Sequence, residues 1–258
     1  SLRKEGYDIQ FLYGGDADFT NMRSYFISSG FQSIVSDKDF PVSDLLSKWG
    51  ANDGTTFIRF SELIQNQQKH PFMKVFLTLS SHEPFDVPYH HFDDPYLNSV
   101  AYTDSCLGAF VDRFRQTPQW NNTLIILVPD HAMRYPAGVQ EPDIIRHHIP
   151  MVWCGGVVNG SKMINDYGSQ IDIAATLLGQ MNIDYSDFKF SKNIADTTQY
   201  KFAYYTFKDG FGYLDSDAKV IYDNEAGKAV FSEGDTTGSK ENAGKAFLQK
   251  LYDDLGSR

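Results

Sequence analysis

The feature that most constrains this chain is an apolar run, residues 124–128, that leads into Asp130-His131. The run is rich in β-branched residues and predicts a strand buried on both faces of a sheet. In an open α/β sheet, ligands bind at the carboxyl ends of the strands. A carboxylate beside an imidazole at such an end is suited to a metal or phosphate site. The structural alternative is that Asp130 caps a turn and His131 is a surface residue.

A second apolar run repeats this arrangement. Residues 73–79 predict another buried strand, and His82 follows its carboxyl end. One such histidine is commonly structural. Two histidines on parallel strands of one sheet would lie at the same edge, so we expect His82 and His131 to share a site.

The first strand also ends in chemically informative residues. Residues 7–13 predict a strand that meets the tight turn Gly14-Gly15-Asp16. Asp18 or Thr20 is expected to cap the helix that follows. Asp16 is a candidate site residue at the strand end, and Arg23 on the helix could bind an anion. Both have a structural alternative, as a cap and as a solvated charge.

Strands and helices alternate through most of the chain, which predicts an α/β fold with a mainly parallel sheet flanked by helices. From residue 201 onward, β-like runs over residues 202–207, 210–214 and 219–222, separated by Gly and Asp, predict a small antiparallel meander, followed by a terminal helix. We therefore expect an α/β domain over residues 1–195 and a small appended subdomain over residues 196–258.

Composition excludes some classes of function. The net charge of −10 argues against non-specific binding of nucleic acid. No apolar run approaches the length of a transmembrane helix, and no signal peptide opens the chain. The absence of a targeting segment is not informative, because Ser1-Leu2-Arg3-Lys4 does not look like a natural start.

Together these motifs resemble the alkaline phosphatase/sulfatase superfamily, and within it the lipoteichoic acid synthase-like branch. The matching pieces follow in order along most of the chain: Tyr13-Gly14-Gly15-Asp16 with Phe19, Asn21 and Arg23; Trp49-Gly50 with Asp53; Leu77-Thr78-Leu79-Ser80-Ser81-His82-Glu83-Pro84-Phe85; Tyr102-Thr103-Asp104; Asn122-Thr123-Leu124 through Asp130-His131; Ile149-Pro150; and Gln170-Ile171-Asp172-Ile173 with Thr176-Leu177-Leu178.

The resemblance implies a metal-dependent, two-step transfer in which a Thr, Ser or formylglycine nucleophile attacks a phosphate or sulfate ester. It places Asp130 and His131 as ligands of one divalent ion, expected to be Mn²⁺, with Mg²⁺, Zn²⁺ and Ca²⁺ as alternatives. His82 is the expected catalytic residue, in contact with the transferred group. Asp16 and Arg23 are expected to bind substrate, although the match of Arg23 requires a one-residue gap.

The chain departs from the family pattern at its start. The first metal ligand and the nucleophile of the family lie upstream of Gly14-Gly15-Asp16, so this chain resembles the C-terminal two-thirds of a catalytic domain. We expect it to lack the covalent step on its own, and it could also lack the metal. The sulfatase Cys/Ser-x-Pro-x-Arg signature is absent as well, since Leu107-Gly108 follows Cys106 and Gly155-Gly156 follows Cys154.

The expected parent protein is a hydrolase or transferase of anionic phosphate or sulfate esters, of the phosphoglycerol- or phosphoethanolamine-transferase type, with a substrate that could be lipid-linked. By resemblance, missing N-terminal helices anchor it in a bacterial cell membrane, with the catalytic domain on the extracytoplasmic face. The alternative is a non-catalytic sulfatase-fold domain that binds a cell-envelope polymer or a partner protein. The residues do not distinguish sulfate from phosphate, because both are tetrahedral anions.

Overall fold

The computed structural model describes residues 1–45 and 47–258. The chain divides into two compact units. Unit 1 comprises Ser1–Thr123 and Gly155–Val157, and unit 2 comprises Leu124–Cys154 and Val158–Arg258.

Unit 1 is built on a three-stranded parallel sheet in the order β2-β1-β3. Its strands are β1 (Asp8–Tyr13), β2 (Ser33–Val35) and β3 (Phe72–Leu77). The central strand β1 pairs Phe11 with Ile34 on one side and with Val75 on the other. Phe11 and Leu12 are almost fully buried on opposite faces of this strand. Burial on both faces is what a parallel sheet covered by helices requires.

The described residues of unit 1 form three α-helices: α1 (Met22–Ser28), α2 (Asp53–Gln65) and α3 (Pro95–Phe114). Asn52 caps α2 by accepting a hydrogen bond from the backbone N–H of Thr55. Asp94 caps α3 in a similar way, with Pro95 at the first helical position, where its missing N–H costs nothing. Short 3-10 helices cover Phe19–Asn21, Asp37–Asp39, Val42–Asp44 and Pro118–Asn122.

Unit 2 contains two antiparallel sheets. The first pairs β4 (Ile125–Leu127) with β5 (Val152–Cys154), and the second is a four-stranded meander in the order β6-β7-β8-β9. The meander strands are β6 (Ala203–Phe207), β7 (Gly210–Leu214), β8 (Lys219–Asp223) and β9 (Lys228–Glu233). The helices of unit 2 are α4 (Ile144–His147), α5 (Asp172–Gln180) and α6 (Ser239–Gly256).

A buried ion pair holds the start of α5. The Asp172 carboxylate is fully buried and accepts hydrogen bonds from the Lys192 ammonium at 2.8 and 3.0 Å and from the Ser169 backbone N–H at 2.8 Å. The ammonium also lies 3.9 Å from the centroid of the Phe202 ring. Asp172 is therefore in the first turn, as its sequence position suggests, but it is held by a specific cation as well as by the helix dipole.

The predicted fold class is confirmed: a parallel sheet flanked by helices, with a small antiparallel subdomain. The expectation that His82 and His131 follow parallel strands of one sheet is wrong. The strand before His82 belongs to the parallel sheet, whereas the strand before His131 exchanges its backbone hydrogen bonds with the antiparallel strand β5. That strand is also only half-buried. The proposed domain boundary between residues 195 and 196 stays a prediction.

The longest helices of the described residues, α3 and α6, are not apolar throughout. The 20 residues of α3 and the 18 residues of α6 both carry charged side chains along their length. Across residues 1–45 and 47–258, no helix combines the length and the apolar character needed to cross a bilayer.

Candidate functional site

The carboxyl edge of the unit 1 sheet carries most of the predicted site residues. Because β2, β1 and β3 are parallel neighbours, the segments that follow them emerge at the same edge in that order. The segments after β1 and β2 are joined directly, since the Asp37 backbone N–H donates to the Gly15 carbonyl at 3.1 Å. This edge is a row of three loops, each of which contributes polar side chains.

Asp16 and Arg23 lie in the segment after β1 and are linked through Asp18. The Asp16 carboxylate is exposed and accepts a hydrogen bond from the Asp18 backbone N–H at 2.8 Å. The Arg23 guanidinium donates through Nε to Asp18 Oδ1 at 2.8 Å and through Nη2 to the buried Ser36 hydroxyl at 3.0 Å. The structure therefore brings these two predicted residues to the same edge.

Asp18 does not cap a helix, and neither does Thr20. The 3-10 turn begins without a side-chain cap, and α1 begins at Met22 after the N-cap residue Asn21, whose backbone is left-handed and whose side chain makes no capping hydrogen bond. The Asp18 carboxylate instead bridges Arg23 and the Lys38 ammonium, which it contacts at 2.5 Å. Its hydrogen bond from Lys38, followed by that from Arg23, holds its pKa below the usual range. The sequence prediction missed Lys38, whose only signal was its position just after β2.

His82 occupies a tight turn after β3. Its backbone N–H donates to the Leu79 carbonyl at 3.0 Å, and its side chain is exposed. The imidazole Nδ1 lies 2.9 Å from the Glu83 carbonyl, which can only accept, so Nδ1 carries the proton. The remaining nitrogen, Nε2, is then an acceptor in the neutral ring and a donor in the protonated ring. A protonated His82 could donate this hydrogen to an oxygen of a bound anion.

Trp49 joins the segment after β1 to the segment after β3. Its indole N–H donates to the Glu83 carbonyl at 2.6 Å. Its ring packs edge-on against the rings of His82 and Phe19, with centroid separations of 4.9 and 5.9 Å. The turn that presents Trp49 requires glycine at position 50, where φ is +137° and a Cβ atom would lie 2.1 Å from the Gly14 carbonyl oxygen. The aromatic contacts orient the His82 ring at this edge.

A buried carboxylate fixes the backbone that leads to His82. Asp53 is fully buried at the start of α2 and accepts hydrogen bonds from the Leu79 and Ser80 backbone N–H groups at 2.8 and 3.3 Å and from the Thr103 hydroxyl at 2.6 Å. Its own N–H donates to the Ser80 hydroxyl at 2.8 Å. Burial is the largest influence on this carboxyl and raises its pKa, although the three donors oppose that shift. Asp53 is a structural anchor of the site.

Asp130 and His131 lie in unit 2, in the loop after β4. The His131 backbone N–H donates to Asp130 Oδ1 at 2.8 Å, and His131 Nε2 lies 3.5 Å from Asp130 Oδ2. Both side chains are exposed, at 62% for Asp130 and 75% for His131. The Gln170 amide donates to the Pro129 and Asp130 carbonyls at 2.6 and 2.8 Å and fixes the backbone of this loop.

The donor atoms of this pair suit a divalent ion. His131 Nδ1 lies 3.3 Å from the Ala132 carbonyl, and the tautomer in which Nδ1 donates to that carbonyl leaves Nε2 as a ligand atom. Asp130 adds carboxylate oxygens, which Mn²⁺ and Mg²⁺ favour. Among residues 1–45 and 47–258, no group of three or more His, Cys, Asp or Glu side chains forms a metal-binding cluster. By donor type, Asp130 and His131 fit as two ligands of an ion. Their role as a metal site stays a prediction.

The five predicted site residues divide between the units. Asp16, Arg23 and His82 lie at the sheet edge of unit 1, and Asp130 and His131 lie in the loop after β4 in unit 2.

The sulfatase family model matches residues 1–183 of this chain. Among curated proteins, lipoteichoic acid synthase 1 of Bacillus subtilis is 23% identical and aligns with 98% of this chain and 44% of its own length. Phosphoglycerol transferase I of Xanthomonas campestris is 24% identical and aligns with 69% of this chain and 28% of its own length. The chain thus spans less than half the length of these two relatives.

Solved structures give the same fold. An alkaline phosphatase superfamily protein from Vibrio parahaemolyticus superposes with a TM-score of 0.76, at 26% identity, over 97% of this chain and 68% of that one. A lipoteichoic acid synthase from Listeria monocytogenes superposes with a TM-score of 0.75, at 18% identity, over 99% of this chain and 71% of that one.

Proposed function

The chain belongs to the sulfatase family, and from that premise we propose that it carries the substrate-binding part of a phosphate-ester transferase of the phosphoglycerol type. One observation carries the proposal: Arg23, Lys38 and His82 line one edge of a parallel sheet, in a chain whose curated relatives include a phosphoglycerol transferase and a lipoteichoic acid synthase. The same edge of an open α/β sheet is where ligands generally bind.

The proposed reaction has two displacements at phosphorus. In the first, a protein hydroxyl forms a P–O bond as the ester P–O bond breaks, and the proton of the hydroxyl goes to the departing alkoxide. In the second, an acceptor alcohol or water forms a P–O bond as the protein P–O bond breaks, and its proton restores the hydroxyl. By resemblance to the family, the attacking hydroxyl is that of a Thr or Ser side chain.

The residues of this chain have separate roles in that reaction. Arg23 binds the anionic phosphate by charge and directional N–H groups. His82 donates a hydrogen bond through Nε2 to a non-bridging oxygen, where negative charge develops. Asp130 and His131 are the proposed ligands of a divalent ion, with Mn²⁺ the first choice by resemblance to the family. When bound, such an ion neutralises the phosphate oxygens and lowers the pKa of the attacking hydroxyl.

The proposed substrate is an anionic phosphodiester, lipid-linked or part of a cell-envelope polymer, at the extracytoplasmic face of a bacterial membrane. The names of the curated relatives, which refer to phosphoglycerol and lipoteichoic acid, support this choice over a sulfate ester.

The test uses the full-length gene product that contains residues 1–258, assayed with bis(4-nitrophenyl) phosphate and with 4-nitrophenyl sulfate in the presence of Mn²⁺. We expect phosphodiester turnover to exceed sulfate turnover. His131→Ala should abolish metal binding and turnover together, whereas His82→Ala should lower turnover and leave metal content largely intact. Full activity in both variants would remove these residues from the site. No turnover of either ester by the wild type would favour a non-catalytic binding domain.

A further inference from the structure

Three charged side chains at the carboxyl edge of the unit 1 sheet form a compact group, which we call the Asp18 cluster: Asp18, Arg23 and Lys38. One Asp18 oxygen is 2.8 Å from Arg23 Nε, and the other is 2.5 Å from Lys38 Nζ. The carboxylate therefore bridges two cations that come from the segments after different strands. The cluster carries one excess positive charge.

The Asp18 carboxylate satisfies cationic donors of the kind that bind a tetrahedral anion. A carboxylate that accepts from a guanidinium and an ammonium at once uses the same donors that a phosphate group would use. Lys38 is 64% exposed and Asp18 is 47% exposed, so a solute can reach both groups. Arg23 is less exposed, at 29%, and the buried Ser36 hydroxyl holds it in place. An anion that approaches Arg23 from solvent must therefore compete with Asp18.

The backbone between Asp18 and Arg23 is shaped to make this contact. Thr20 and Asn21 both adopt the left-handed conformation, with φ of 51° and 61°. For a β-branched residue such as Thr20 this conformation is costly, by about 1–2 kcal/mol. The Asp16 carboxylate also restrains this segment, because it accepts a hydrogen bond from the Asp18 backbone N–H at 2.8 Å. Local strain of this kind is typical of functional segments.

We infer that Lys38 is a further substrate-binding residue beside Arg23, and that Asp18 is a built-in anion that occupies this cation pair until the phosphate group of the substrate displaces it. The inference rests on the proposed function and deepens it, because it assigns a second cation and an internal competitor to the same site. An exposed Asp side chain changes rotamer within nanoseconds, so displacement requires no backbone movement. Asp18 then sets the affinity that an anion needs in order to displace it from Arg23 and Lys38.

The test is a calorimetric titration of inorganic phosphate into the protein at fixed, low ionic strength. Asp18→Asn keeps the shape of the side chain but removes its charge, so we expect phosphate to bind about threefold tighter or more. Lys38→Gln should bind about threefold more weakly. In the double variant the gain from Asp18→Asn should be largely lost, because both residues act on one site.

Matched controls separate a local effect from a change in net charge. Asp187→Asn and Lys250→Gln make the same changes of charge at exposed positions in unit 2 and should leave phosphate affinity unchanged. Asp18→Ala checks that the gain does not depend on the asparagine side chain. Circular dichroism should show that each variant is folded. The inference is overturned if phosphate binds Asp18→Asn no more tightly than the wild type, or if neither protein binds phosphate.

Arg23→Gln distinguishes failure of this inference from failure of the proposed function. If Arg23→Gln binds phosphate as the wild type does, the anion does not bind at this edge and both proposals fail. If Arg23→Gln loses binding while Asp18→Asn and Lys38→Gln match the wild type, the inference alone fails. If the Asp18 variant gains affinity but the full-length gene product shows no phosphodiester turnover, the proposed function fails and the anion site stands.

Discussion

The anchoring role of Asp53 leads to a prediction that joins stability to binding. Asp53→Ala removes the acceptor for two backbone N–H groups, those of Leu79 and Ser80, and for the Thr103 hydroxyl. The Asp53 side chain that accepts from all three donors is fully shielded from solvent. The segment they hold leads directly to the turn that carries His82.

The expected loss of stability follows from the three donors. A buried donor without a partner costs about 1–3 kcal/mol. Water that enters the vacated space can accept hydrogen bonds from some of these donors and lower that cost. The wild-type carboxylate also carries a desolvation cost, seen in its raised pKa, which the variant no longer has. We therefore expect Asp53→Ala to lower the free energy of unfolding by about 3 kcal/mol. Asp53→Asn keeps one acceptor and should cost about half as much.

The assay is urea denaturation followed by circular dichroism, paired with phosphate titration of the folded variant. Phosphate affinity should fall in Asp53→Ala, because the His82 turn loses its anchor, and should recover in part in Asp53→Asn. Asp187→Ala serves as the control and should change stability by less than about 0.5 kcal/mol. A loss below about 1 kcal/mol in Asp53→Ala, with unchanged phosphate affinity, would refute the anchoring role.

Three further predictions concern unit 2 and helix packing. Lys192→Met leaves the buried Asp172 carboxylate without its cation and should lower the free energy of unfolding by about 3–5 kcal/mol in urea denaturation; an unchanged midpoint would contradict this. Burial lowers the pKa of His147, which stacks on Tyr205 at 3.8 Å, so the unfolded state binds more protons between the folded pKa and 6.5. Stability should therefore rise with pH through that window, and His147→Gln should flatten the rise; a slope equal to that of the wild type would count against it. Gly244→Ala places a Cβ atom 2.2 Å from the Phe211 ring and should cost about 1–3 kcal/mol, whereas Gly108→Ala in α3 meets open space and should gain about 0.5–1 kcal/mol; equal melting temperatures would contradict the packing.

The sequence predicted most elements because their patterns are local. The β7 strand was predicted with the bounds that the structure has, since its flanking residues mark both ends. In contrast, β9 was not predicted, because most of its residues are exposed and its polar composition resembles a loop. The sheet partner of β4 was predicted incorrectly. An apolar run indicates a strand, but the ladder it joins depends on residues such as Val152–Cys154, which lie far along the chain.

In the candidate site, too, the local features could be predicted and the long-range contacts could not. Asp16 and His82 were located at strand ends from sequence alone, because that position follows from strand boundaries. The contact between Asp18 and Lys38 could not be predicted, since the two residues are 20 positions apart and the chain between Asp18 and α1 passes through the left-handed residues Thr20 and Asn21. Asp53 was recognised only as part of a motif. Its function as an anchor depends on Leu79 and Ser80, which only the folded chain brings to it.

The measurement that tests the account most directly is a calorimetric titration of Mn²⁺ into the full-length gene product that contains residues 1–258, with Asp130→Ala and His131→Ala alongside. We expect the wild type to bind Mn²⁺ and each substitution to abolish that binding, because each removes a ligand atom of the proposed ion. Binding of equal strength in the wild type and both variants would show that this pair holds no metal. That result would contradict the proposed phosphate-ester transferase site.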